Sequence, residues 1–452
     1  MPDRPAAPNQ RLPRSLGVVS TAGVLVGIVI GSGIFRVPSL VVAQVGSVGA
    51  AALVWVLGAA VTLCGALTLA ELATAYPRAG GAYVFLREAY GPLPAFLFGW
   101  VKLVVTGPAA LAAVSLIFAA YAGAFVPLSA AQQRLLAALL LVALALVNIR
   151  SVSWSAAVQN LSTVAKVLAL TALALLLFAF GAPGRGALAG PLAWSPTSWS
   201  GFGVALIAVL WTYIGWVDLS YLAGEVRDPG RNFPRATVVG LGIVVLVYLL
   251  ANAAYLYVLP LPDLAHSPAV AATAAERVFG SVGSALVAAL VMLSTFGSLN
   301  GALLTNPRVF YAMAEDGLFF RKVAAVHPRY RTPYVALLLY LALGIIGIST
   351  RTFEQLAQVF VLGIWPFYAL AVASVFVLRR RRPAVASPYR TWGFPFVPAA
   401  FLIVSAAILV NGAVQRPGQT AISFGVLLLG IPAYYAWRSL QAWRLQRATA
   451  ER

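Results

Sequence analysis

Histidine and cysteine are almost missing from this chain: two histidines and one cysteine among 452 residues. The lone Cys64 lies in an apolar run and excludes a disulfide within the chain, so the core must hold by packing alone. His266 and His327 stand in separate loops, and neither a His-Glu-x-x-His pattern nor a Gly-x-Ser-x-Gly elbow occurs, which argues against an enzyme. Acidic residues are scarce too, 12 against 31 Lys and Arg. All charged residues together reach only 10%, far below the roughly 25% of a soluble domain. A large soluble domain is excluded, and no pattern calls for a metal or a cofactor.

What fills the chain instead is hydrophobic: 61% of residues, with a mean hydropathy of +0.89. Apolar stretches of about 20 residues, each enough to cross about 30 Å of hydrocarbon as a helix, recur along the whole length. They predict an all-α integral membrane protein of about 12 transmembrane helices. The spans start near Leu16, Val48, Ala82, Leu135, Val152, Phe202, Thr237, Ser281, Val335, Leu356, Phe396 and Thr420. The polar, Pro-rich N-terminus leads into a first span of about 27 residues, longer than a signal-peptide core and without a cleavage site behind it. That span is expected to stay in the protein.

Basic residues orient the chain, because Lys and Arg are retained on the cytoplasmic side. With the N-terminus inside, Arg4, Arg11, Arg14, Arg78, Arg87, Arg150, Arg227, Arg231 and Arg235 share one face. Arg308, Arg321, Lys322, Arg329, Arg331, Arg379 to Arg382, Arg390, Arg438, Arg444, Arg447 and Arg452 join them. The opposite loops hold only Arg134, Arg185, Arg277, Arg351 and Arg416, while Arg36, Lys102 and Lys166 fall within spans. Both termini are therefore expected in the cytoplasm. The net charge of +19 reports this topology rather than nucleic-acid binding. The Arg379 to Arg382 run reads as a cap on the tenth span, with anionic headgroups as a secondary partner.

Two spans are interrupted. Gly31-Ser32-Gly33 breaks the first, and Trp211-Thr212-Tyr213-Ile214-Gly215-Trp216-Val217-Asp218 places a glycine and polar groups mid-membrane in the sixth. Backbone that leaves the helix inside lipid must face protein, water or a ligand. Five spans separate the breaks, so the two helices run in opposite directions, the sign of a five-plus-five inverted repeat with discontinuous spans 1 and 6. Where the first helix unwinds, N–H groups at the positive dipole end suit a carboxylate, and the glycines let it approach. Near Ile214 and Gly215, free carbonyls at a negative dipole end suit an ammonium. A ligand carrying both is an α-amino acid.

Four motifs in order carry a resemblance. GSGIF at 31–35, ELATAYPRAGGAY at 71–83, GWVDLSYLAGEVRDPGRNFPRA at 215–236 and STFGSLNGALLTNPRVFYAMAEDGLF at 294–319 resemble the amino acid/polyamine/organocation superfamily. Within it they are most similar to the L-type amino acid transporters and the bacterial serine/threonine exchangers. The resemblance implies a LeuT-like fold in these parts: a cytoplasmic tail at 1–14, a first repeat at 15–181, a second at 200–380, two accessory spans at 393–443 and a cytoplasmic tail at 444–452. It implies that backbone N–H groups around Gly31, Ser32 and Gly33 hold the substrate carboxylate, with the Ser32 hydroxyl assisting. Carbonyls of Val29, Trp211 and Ile214 would take the amino group, with Tyr213 and Gly215 completing the second break. Trp211 would be the aromatic gate, where the family often has phenylalanine.

Lys166 lies deep in the fifth span, and an intramembrane charge is functional by default. The resemblance places its ammonium between the first and eighth spans, near the carbonyls before Gly31 and the hydroxyls of Ser294 or Thr295, where sodium-coupled relatives hold an ion. It implies sodium-independent exchange of neutral L-amino acids. Two readings compete with it: a proton-coupled or exchange carrier of cationic amino acids or polyamines that uses Asp218 for selectivity or as a proton site, and a transporter-like amino acid sensor. Glu71 and Glu225 are expected to pair with arginines such as Arg78, Arg231 or Arg308; Lys102 has no assigned partner. The loop Phe125 to Gln133 has no cysteine, so no disulfide-linked heavy subunit is expected there. The expected partners are an amino acid substrate and membrane lipids, the expected state a monomer or weak homo-oligomer, and the expected place the bacterial cytoplasmic membrane.

Overall fold

Glycine and proline decide where the helices start and stop. Gly46 takes the left-handed conformation, φ +68°, that ends one helix, and Ser47 caps the next by accepting from the Ala50 N–H. The computed structural model describes residues 12–182, 186–189, 194–350, 353–383, 385, 387–415 and 417–450. Among them the chain is all-helical, with no strand beyond a single parallel bridge between Leu16 and Val226. Arg4, Arg11, Arg185, Arg351, Arg416 and Arg452, used above for orientation, lie outside the described residues.

The first half runs α1 Val18–Val29, α2 Val37–Val45, α3 Val48–Ala75, α4 Ala82–Tyr90, α5 Pro92–Val101, α6 Gly107–Ala122, α7 Ala130–Arg150 and α8 Val152–Phe180. The second runs α9 Trp199–Tyr213, α10 Pro229–Val258, α11 Leu261–His266, α12 Val270–Phe279, α13 Ser281–Thr305, α14 Pro307–Glu315, α15 Tyr334–Thr350 and α16 Phe353–Arg381. Two helices, α17 Phe396–Gln415 and α18 Pro417–Ala450, close the chain. Ten helical stretches among the described residues are long and apolar enough to cross a membrane; α1 and Tyr334–Ser349 are shorter apolar helices.

The third span departs from the expected start at Ala82. Residues 82–90 form a separate helix, because Gly91 at φ +92° turns the chain and Pro92 restarts it. Farther along, Pro108 has no N–H to give, and the Gly107 N–H reaches back five residues to the Lys102 carbonyl. The result is a π-helical turn at Lys102–Thr106, which joins α5 to α6 and aims Lys102 into the protein.

Helix α1 sits against α8, α10 and α13. Small residues allow the approach: a Cβ on Gly23 or Gly27 would collide with the Asn160 and Gln159 side chains of α8. Several polar groups buried there are paired across helices. Asn300 of α13 donates to Gln159 at 2.8 Å and accepts from Asn148 of α7 at 2.9 Å. Such pairing removes the cost of leaving polar atoms bare inside a membrane-embedded core.

Candidate functional site

The helix α1 ends at Val29, and after Ile30 the chain passes Gly31 and Ser32 before a single 3₁₀ turn at Gly33–Phe35. The second break follows α9: Gly215 stands at φ +125°, and Asp218–Glu225 continues as a 3₁₀ helix rather than an α-helix. The breaks touch. A Cβ on Gly215 would lie 2.7 Å from Ile28 Cγ2 and 3.2 Å from the Val29 nitrogen.

They open onto one cavity of about 120 Å³, lined by Val29, Gly31, Ser32, Gly33, Trp211, Ile214 and Asp218 among others. That approaches the roughly 150 Å³ of a cavity that takes benzene, so it has room for a small organic molecule rather than a single water. Among the described residues the N–H groups of Ser32 and Gly33 donate to no protein atom, and the Ser32 hydroxyl has no partner. Unwound backbone with unspent donors at the edge of a cavity has the geometry that suits an anion.

The carbonyl side departs from expectation. Val29 already accepts from the Tyr248 hydroxyl at 2.7 Å, and Trp211 from the Ile214 N–H at 3.1 Å. Among the described residues, Ile214 is the member of the expected trio whose carbonyl takes no such bond. Tyr213 does not line the cavity: it stands two residues, about 200° of helix, from Trp211 and packs edge-on against Trp55 and at a tilt against Tyr248. Gly215 is absent from the lining as well, because it is the wedge against Ile28 and Val29.

Behind the first break Lys166 is fully buried, and its ammonium donates to the carbonyls of Gly27 at 2.7 Å, Ile30 at 2.8 Å and Ser294 at 3.1 Å. Three donors meet three acceptors, which offsets part of the cost of burying the charge. The Ser294 hydroxyl does not meet the lysine; it donates to Ile30 at 2.9 Å and Gly31 at 3.2 Å. Thr295 departs further. Its hydroxyl turns back on its own helix, to Val291 at 2.8 Å and Met292 at 3.0 Å, since it points about 100° away from Ser294. The residue one turn on, Ser298, takes that place and reaches the Gly27, Ile28 and Ile30 carbonyls at 3.2 to 3.3 Å. Its i, i+4 spacing from Ser294 was the signal for it. Gly297 leaves the room, for a Cβ there would lie 2.9 Å from Lys166 Nζ.

Asp218 is paired. Its Oδ1 lies 3.6 Å from Lys102 Nζ, its Oδ2 accepts from Asn306 at 3.1 Å, and Lys102 donates to Asn306 Oδ1 at 2.6 Å. The other acids find arginines too. Glu225 holds Arg308 bidentately at 2.8 and 3.0 Å, as one expected pairing had it. Glu71 instead pairs with Arg379, at 2.8 Å from both nitrogens. Arg78 joins Arg87 on Asp316, at 3.2 and 2.9 Å. Tyr83 donates to the same carboxylate at 3.1 Å; burial, and then Asp316 itself, hold its phenol well above the ordinary value, so it stays a donor.

Comparison with known proteins gives the family. The sequence model of the amino acid permease family matches residues 16–433. A serine/threonine exchanger of Bacillus subtilis, SteT, is 31% identical over 434 residues, 95% of this chain and 98% of that protein. The human large neutral amino acids transporter small subunit 2 is 33% identical over 435 residues, covering 94% and 80%. The human cystine/glutamate transporter is 31% identical over 448 residues, covering 95% and 86%. Membrane-long apolar helices, a paired break around one cavity and this likeness over nearly the whole chain agree: the protein belongs to the amino acid permease family of the amino acid/polyamine/organocation superfamily, multi-pass membrane transporters rather than enzymes.

Proposed function

We propose that this protein is a sodium-independent exchanger of neutral L-amino acids that works by alternating access. The observation that carries it is the pair of unspent N–H groups at Ser32 and Gly33, with the free Ser32 hydroxyl, on the cavity edge. A substrate carboxylate satisfies all three, and its amino group turns to the Ile214 carbonyl, with second lone pairs of Val29 and Trp211 in reach. Trp211 closes over it. The fixed ammonium of Lys166 does the work of a coupling cation by holding the Gly27, Ile30 and Ser294 carbonyls. The relatives named as a serine/threonine exchanger and a large neutral amino acids transporter support this class.

Lys102 balances the charge of Asp218, which favours neutral side chains over the cationic amino acids or polyamines that a bare Asp218 would draw. The reading includes twelve spans, α1 with α2 through α18, in a five-plus-five inverted repeat at 15–181 and 200–380 with two accessory spans, both termini cytoplasmic, in a bacterial inner membrane. It includes no disulfide-linked partner, since residues 125–133 lack cysteine. Counterflow in proteoliposomes tests it: preloaded neutral amino acids should drive uptake equally well in sodium and in choline. Uptake that needs sodium, or no uptake with any amino acid, would overturn it.

A further inference from the structure

The cavity has a second polar place. Beside Tyr340 and Tyr368, small apolar residues such as Ala109, Ala110, Ala113 and Ala302 make much of its remaining wall, but Lys102, Asn306, Asp218 and Thr106 interrupt it. The π-helical turn brings the first and last of these in, and the 3₁₀ start of the second break brings Asp218. All four side chains are buried, with exposures of 3%, 4%, 7% and 1% in that order.

Their hydrogen bonds are incomplete. Asn306 bridges the two charges, donating to Asp218 Oδ2 and accepting from Lys102. Asp218 Oδ1 has the ammonium at 3.6 Å, too long for a hydrogen bond, the Tyr221 phenol stands near the same carboxylate, and neither Oδ1 nor Thr106 Oγ1 has a hydrogen-bond partner among the described residues. Lys102 directs one donor to Asn306, and its ammonium stands 4.9 Å from the Tyr221 ring centre. The cluster thus keeps one strong acceptor and part of one strong donor unspent, side by side, with no net charge.

We infer that Lys102, Asn306 and Asp218 form the side-chain subsite of this carrier and select side chains that are neutral and hydrogen-bonding: the carboxamide of glutamine or asparagine, the hydroxyl of serine or threonine. This rests on the amino acid exchanger reading. A carboxamide offers its N–H to Asp218 Oδ1 and its oxygen to Lys102. An aliphatic side chain packs on the alanines but leaves Asp218 Oδ1 unpaired, and sites with unpaired buried groups reject such analogues strongly. A cationic side chain meets Lys102, and an anionic one meets Asp218, each as a like charge out of water.

Competition in the counterflow assay tests it, with radiolabelled serine as the probe. Glutamine, asparagine and serine should compete at least tenfold better than leucine, arginine or glutamate. Removing one charge should admit the opposite class: Lys102→Gln gains arginine exchange, and Asp218→Asn gains glutamate exchange. Because these are gains, misfolding cannot imitate them. The double variant Lys102→Met/Asp218→Leu should shift preference at least tenfold from glutamine towards leucine. A wild type that prefers leucine, or variants that keep the wild-type order among all six competitors, would overturn the subsite while leaving the exchanger standing. Absence of exchange with every amino acid would overturn both.

Discussion

The Tyr248 hydroxyl donates to the Val29 carbonyl at 2.7 Å and lies 3.2 Å from the carbonyl of Thr212, so one side chain of α10 serves the ends of both broken helices. Helix ends leave carbonyls without partners, and in a membrane no water replaces them. Tyr248→Phe removes the hydroxyl and keeps the ring that packs on Trp55 and Tyr213. The expected cost is about 1–3 kcal/mol, that of stranding a buried acceptor. It should appear as a lower melting temperature in detergent and slower exchange. Unchanged values for both would refute the bridging role.

Lys166→Ala removes all three bonds to Gly27, Ile30 and Ser294 at once. Hydrogen bonds from a charged donor contribute about 1.5–3 kcal/mol each, so losing even one equivalent at the transition between states slows exchange about tenfold or more. Lys166→Met keeps much of the volume and should be equally slow if the ammonium, rather than bulk, holds the break. Initial rates of counterflow decide it: a Met variant near wild-type rate would show that packing suffices.

The two glycines of the first break should respond differently to alanine. At Gly33 a Cβ would stand 2.8 Å from Thr212 Cγ2, whereas at Gly31 its nearest neighbour is Ser298 Oγ at 3.4 Å, ordinary contact. Gly33→Ala is therefore expected to cost about 1–3 kcal/mol, as overpacking does, and Gly31→Ala much less. Adding Thr212→Ala, which deletes both the methyl and the hydroxyl that would stand 2.8 and 2.9 Å from the new Cβ, should recover much of the stability lost by Gly33→Ala in a thermal unfolding series. No rescue would mean that the backbone at Gly33, rather than its contact with α9, is what alanine disturbs.

Much of this was legible in the sequence, and what was not has a common cause. A glycine triplet in an apolar run, or a lone lysine far inside a span, is a local anomaly, and the breaks and Lys166 stand where such anomalies predict. Facing within a helix was harder. Trp211 and Ile214, three residues apart, share the cavity face, while the intervening Tyr213 turns away; Ser294 and Ser298 share a face that excludes Thr295. Pairing between distant elements was hardest. Tyr248 with Val29, Glu71 with Arg379 and Lys102 with Asp218 join residues over 100 positions apart, and no periodicity in either partner's segment encodes the choice. The separation of α4 from the third span was readable at Gly91-Pro92, but hydrophobicity continued past it.

The Glu225 and Arg308 pair separates structural from functional charge. Both side chains are essentially out of solvent, at 0% and 1% exposure, and Arg308 meets both carboxylate oxygens. Glu225 also ties the N-terminal segment through its carbonyl, which accepts from the N–H groups of Ser15 and Leu16 at 2.9 and 3.0 Å. Glu225→Leu leaves those backbone bonds in place and strands a buried guanidinium, a loss of about 3–5 kcal/mol. That should drain the monodisperse peak in detergent chromatography. Adding Arg308→Met removes the stranded charge and should recover much of the folded yield, since well-packed apolar replacements of a buried pair are often neutral. Arg78→Ala is the control: its side chain is 47% exposed, and such surface pairs contribute about 0–1 kcal/mol. If Glu225→Leu is no worse than Arg78→Ala, the buried pair does not hold the second break to α14; if the double variant folds but does not exchange, the pair has a part in the transport cycle as well.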